Sequence, residues 1–149
     1  MTPADYAKFC RSQARDLEDK VDRALGRAAA AGAKLARQRA RTVHAVATGR
    51  FADNWQPEDR EKGWAIVNPT PYAGYADDGR PPGSPPPITA LVRWAEKKLR
   101  VAGPAAWAVA HKIAQDIAAR GIRGAHVLQW LTEKLELVIP NEIEKELSR

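Results

Sequence analysis

Asp77 and Asp78 stand side by side in YAGYADDG. The surrounding stretch, residues 68–87, also carries two tyrosines, three glycines and seven of the chain's eleven prolines. Two adjacent carboxylates can hold a cation, or can divide acid and base roles when their environments push their proton affinities apart. The DDG context equally suits a turn in which an aspartate caps its own backbone, the commoner use of such a pair. Other chemistry-bearing residues are scattered. Cys10 is the single cysteine and has no neighbouring base in the sequence, so it reads as a small buried apolar residue rather than a nucleophile. His44, His111 and His126 lack the paired spacing of zinc ligands and read as partly buried or surface helix residues. GRPPGS has glycines but neither the lysine nor the strand-to-helix setting of a phosphate loop. No catalytic constellation, metal site or cofactor motif emerges; the expectation is a protein that is not an enzyme and needs no cofactor.

The elements around these residues define an α+β expectation: a long N-terminal helix, a small antiparallel β-sheet, and two to three C-terminal helices packed on it. Within 149 residues, one domain is the simplest arrangement. The first helix spans about residues 3–48, with Pro3 at its start and Gly49 as its stop. Leu17, Val21, Leu25, Ala28, Gly32 and Leu35 form its apolar stripe, and AAAAGAK admits a closely packed partner. A β region follows over about residues 51–79. Trp55 lies on a first strand that Pro57 confines to an edge, PEDREKG forms a charged turn, and Trp64, Ile66 and Asn68 alternate on a second strand. The proline-rich loop covers about residues 80–87. A helical region covers about 88–137, with ITALVRWAEKKL and AAWAVAHKIAQDIAAR as amphipathic helices and Gly121 as a helix stop. An acidic tail covers about 138–149, where Pro140 precedes a short amphipathic helix. Five tryptophans read as packing residues of the core or of a subunit interface.

Charge is distributed unevenly. Residues 23–52 carry seven basic side chains and no acidic one, whereas Glu133, Glu136, Glu142, Glu144 and Glu146 dominate the far end. Such a chain can stack on copies of itself, face a polyanion, or simply present solvated helix faces. No apolar run approaches the roughly 20 residues of a membrane span, and the start has no signal-peptide apolar region, so a cytoplasmically made soluble protein is expected.

The order TGRFADNW, WAIVNPTPYAGYADDGRP, ITALVRWAEKKL, IAQDIAARGIRGAHVL resembles the neck or tail-completion proteins of long-tailed bacteriophages, a minor tail-component family of siphophages and prophages. Thr48 and Gly49 match the family's turn. Asn68, Tyr72, Ala73, Tyr75 and Gly79 match its strand-and-loop signature, and Ala118, Gly121 and Gly124 its late turn. The similarity covers roughly residues 15–130. The chain departs from the pattern in having Asp77 or Asp78 where a glutamate is usual, and in its longer acidic end. The resemblance implies an α+β virion subunit assembled in the host cytoplasm into a ring, usually a hexamer, at the head–tail junction. That ring would join the head-side connector or adaptor to the tail tube or tail terminator, and double-stranded DNA would pass through its lumen. It also implies contacts to neighbouring subunits or proteins through Tyr72, Tyr75, Asp77, Asp78 and Arg80. The basic cluster of Lys34, Arg37, Arg39 and Arg41 would then face DNA or another subunit. Two other readings stand beside it: a small DNA-binding protein using residues 34–41, and an enzyme working through Asp77 or Asp78.

Overall fold

Thr2 caps the first helix: its hydroxyl accepts from the Asp5 amide while the Asp5 carboxylate accepts from the Thr2 amide, and Pro3 supplies a preset first-turn φ. From this start α1 (Pro3–Thr42) runs for 40 residues. The computed structural model describes residues 1–43 and 49–149; the expected continuation of the helix to residue 48, with His44 and Thr48, lies outside the described residues.

The fold is α+β. After α1 come α2 (Arg50–Asp53), β1 (Gln56–Arg60), β2 (Gly63–Val67), α3 (Ala73–Asp78), β3 (Gly79–Arg80), α4 (Ile88–Leu99), α5 (Gly103–Arg120), β4 (Ile122–Arg123) and α6 (Val127–Leu147). They divide into two compact units, one of residues 1–73 and 126–149, the other of residues 74–125.

The first unit is built on the small residues of α1. Ala24, Ala28, Ala29, Gly32, Ala33, Ala36 and Ala40 are buried, so neighbouring elements approach the helix closely. A β-carbon on Gly32 would lie 2.5 Å from the Ile66 Cδ1 of β2 and 3.0 Å from the Leu135 Cδ2 of α6. Gly32 is where all three elements converge. Strands β1 and β2 form an antiparallel hairpin with Gln56 opposite Val67 and Arg60 opposite Gly63. The residues expected as a charged turn are therefore mostly strand, and the turn shrinks to Glu61 and Lys62. Pairing with β2, not the propensity of QPEDR, makes β1 a strand, and a two-stranded ribbon has the open edge that Pro57 needs. Phe51 and Trp55 are buried and meet edge to face at 5.5 Å.

Helix α6 lies antiparallel on α1, as Arg39 meets Trp130, Gly32 meets Leu135, Arg27 meets Glu142 and Arg23 meets Glu146. It continues through Pro140. The expected break near residue 137 and separate tail helix are not found; the end of α6 is tied to α1, which offsets the hydrogen bond that Pro140 cannot donate.

In the second unit α4 and α5 bury Val92, Ala106 and Ala110, with Ile88, Leu91 and Val101 packed around them. Arg100, in the left-handed region at φ 55°, ends α4. Gly121 ends α5 as the spacing predicts.

Candidate functional site

The YAGYADDG segment, read from sequence as non-helical, contains the short helix α3. It begins as the Ala73 amide donates to the Thr70 carbonyl, and its register is fixed by tertiary backbone pairing rather than by propensity. The Ala125 amide donates to the Ala76 carbonyl, and β3 pairs antiparallel with β4, Gly79 opposite Arg123 and Arg80 opposite Ile122. Gly79 (φ 80°) and Gly121 (φ 72°) take left-handed backbone conformations, and a β-carbon on either would overlap backbone of the opposing segment. The Gly83 amide adds a bond to the Ala118 carbonyl of α5. The signature glycines and Ala118 thus serve one backbone lock.

This lock displays some of the expected contact residues and hides another. Tyr75 is 77% exposed, and Tyr72, which precedes α3, is 40% exposed. Asp78 is exposed, while Arg80 is half-buried and donates to the Ser84 carbonyl. Asp77, expected on the contact surface, is instead only 5% exposed. The two carboxylates therefore sit in different surroundings rather than forming a matched pair. Asn68, the first signature residue, is a local tie: its amide donates to the Phe51 carbonyl and its oxygen accepts from the Thr70 amide.

The basic cluster is not a single face. Lys34, Arg37 and Arg41 follow helical spacing on one side of α1, and Arg39 lies off it. Arg39 stacks 5.5 Å from the Trp130 ring, which also receives Lys134 at 5.7 Å. Arg41 donates to Asp53 at 2.7 Å. Lys34 and Arg37 form no ion pair among the described residues. In the second unit Arg93, Lys97 and Arg100 form a further exposed basic row along and just past α4, likewise without ion pairs among the described residues.

The opposite charges at the two ends of the chain meet within it. The Glu146 side chain, 8% exposed, accepts from Arg23 at 3.0 Å and Arg27 at 2.6 Å, with Arg149 at 3.6 Å. Glu142 accepts from Lys145 at 2.7 Å and Arg27 at 3.2 Å. Arg23, then Arg27, hold the Glu146 carboxyl below the usual glutamate range; Lys145, then Arg27, do the same for Glu142. Glu146, then Glu142, raise the Arg27 guanidinium in turn. Sequence reasoning missed this clasp because its partners are over 100 positions apart; the only signal was the matching pair of charge runs, which it pointed outward.

Cys10, expected buried, is exposed on α1. His111 is exposed and tilts against Trp107 at 6.3 Å, and His126 caps the start of α6 at φ 51°. Among the described residues no group of three or more His, Cys, Asp and Glu side chains is placed to hold a metal ion. Among the same residues no helix is long and apolar enough to cross a membrane. Of the tryptophans, Trp55 is buried and the Trp64 indole donates to Asp22 at 3.1 Å, whereas Trp94 and Trp107 are 39% and 46% exposed.

Set against known proteins, the chain matches no family model, no curated protein and no solved structure.

Proposed function

We propose that the chain is a structural virion protein of a tailed bacteriophage, a subunit of a homo-oligomeric ring at the head–tail junction through which DNA passes. The order of the sequence motifs suggests the family, and one observation carries the reading onward: Tyr75 stands 77% exposed on a backbone locked from both sides. An aromatic side chain held out by a rigid segment is a preorganised anchor, because little conformational freedom remains to be lost on docking. Trp94 and Trp107 add exposed aromatic surface in the same unit.

Electron microscopy of the purified chain tests the proposal; rings with a central channel are expected. In an assembling phage, Tyr75→Ala should reduce complete particles more than it reduces solubility of the subunit. Equal loss of both would mean that Tyr75 serves folding alone.

A second reading, a small DNA-binding protein, draws support from the basic row on α4. It requires a single subunit to bind duplex DNA with steep salt dependence, and Arg93→Ala with Lys97→Ala should lower the salt slope by about 0.9 per lost phosphate contact. Tight binding by a monomer would favour this reading over the ring.

A further inference from the structure

The N-terminal half of α1 projects past the end of its partner. Helix α6 covers α1 only as far as the Arg23–Glu146 contact and ends at Leu147. Residues 3–20 thus extend for about 27 Å at 1.5 Å per residue, and every residue from 8 to 19 is exposed. The capping box of Thr2 and Asp5 secures the far tip. The segment continues a helix already nucleated by its packing from Ala24 onward, so it forms without a covering partner, and its apolar side chains are left facing water.

The overhang has a defined apolar side. Tyr6, Phe9, Cys10, Leu17 and Val21 fall on one arc of the helix, in line with Ala24 and Ala28, which are already buried against the rest of the unit. Tyr6, Phe9 and Leu17 are 58%, 54% and 51% exposed, Gln13 and Lys20 interrupt the stripe, and Lys8, Arg11, Arg15, Glu18 and Asp19 occupy the other side. The stripe therefore changes from small to large residues where α6 stops. Small residues let a backbone come close; large ones reach into a recess.

The same unit carries such a recess. A groove of about 390 Å³ opens between α1, the hairpin and α6, lined by Leu25, Ala28, Trp64, Ile66, Leu131 and Leu135. The overhang cannot reach its own groove. Thr132 and Leu128, on the α6 wall, lie opposite α1 positions about 40 Å along the helix from Cys10.

We propose that the overhanging half of α1 docks its Tyr6–Phe9–Leu17 stripe into the α1–hairpin–α6 groove of a second copy of this chain. Each copy gives a helix and receives one. Such a head-to-tail contact closes into a ring when the rotation between copies allows it. The inference rests on the ring reading only in requiring copies to meet, and it names the surfaces through which they do.

The native single cysteine gives the test. In the full-length chain, Thr132→Cys and Leu128→Cys are made separately and oxidised with a glutathione buffer, then resolved under non-reducing conditions. The expected result is a disulfide between Cys10 of one copy and the new cysteine of another. Adding Phe9→Asp should abolish it and weaken self-association by roughly 30-fold or more, as for an aromatic hot spot, with unchanged helix content. A Cys10–Cys10 disulfide in the native chain would overturn the proposal, since overhang would then meet overhang. Rings seen by microscopy without either engineered crosslink would overturn this contact and leave the ring reading intact. A chain that stays a single subunit would overturn both.

Discussion

The two halves of α1 carry the same amphipathic pattern but answer to different partners. From Ala24 onward the buried positions are alanine and glycine, and α6 and the hairpin sit close on them. Before it the same face carries Tyr6, Phe9 and Leu17, each more than half exposed. Charge follows the same division. Arg23 and Arg27 are engaged by Glu142 and Glu146, whereas Lys8, Arg11 and Arg15 form no ion pair among the described residues. Periodicity marks the face of a helix that will be buried, and residue size along that face marks how closely, and by what, it will be covered.

The largest effect that sharpens this contrast comes from the chain's two phenylalanines. Phe51 is fully buried and Phe9 is 54% exposed. Phe51→Ala should destabilise the subunit by about 3–5 kcal/mol, and Phe9→Ala should stay within about 0.5 kcal/mol, as read by urea unfolding of the dilute protein. Comparable losses would mean that the overhang is packed within its own chain and would erase the distinction between the halves. A smaller effect comes from adding volume to the helix. Gly32→Leu must push against Ile66 and Leu135 and should cost about 1–3 kcal/mol, whereas Ala14→Leu on the overhang should be near neutral.

The helices were legible in the sequence where apolar periodicity was long and the stops were unambiguous, as at α4, α5 and Gly121. The small-residue run at AAAAGAK also correctly foretold close packing. What could not be read there depends on partners distant in the chain. QPEDR is a strand only because β2 pairs with it. The AGYADD helix exists because Gly79, Gly121 and Gly124 admit a second backbone. Pro140 ends no helix because the segment beyond it is clasped by Arg23 and Arg27. For the candidate contact surface, Tyr72 and Tyr75 were found by motif alone, but the burial of Asp77 follows from a short helix that the proline-rich setting concealed. Cys10 was misplaced inward because its stripe meets no partner among the described residues.

The smallest effect concerns pH and separates the two halves by chemistry. The folded carboxyls of Glu142 and Glu146 titrate below their ordinary value of 4.5, so the folded state binds fewer protons than the unfolded chain as the pH falls toward and below that value. Their stabilisation is complete above about pH 4.5 and drains away as the pH drops through the lowered folded values. Asp5 behaves alike at the other end: the Thr2 hydroxyl, then the Thr2 backbone amide, hold it below 3.8, so its cap too is lost as the pH falls through its lowered folded value. Hydrogen exchange followed down a pH series should therefore show protection lost as two separate responses, one at the end of α6 and one at the first hydrogen-bonded amides of α1. Glu142→Gln with Glu146→Gln should flatten the first response without moving the second, and Asp5→Asn should do the reverse. One shared transition, moved by either change, would show that the clasped and overhanging halves of α1 unfold as a single unit.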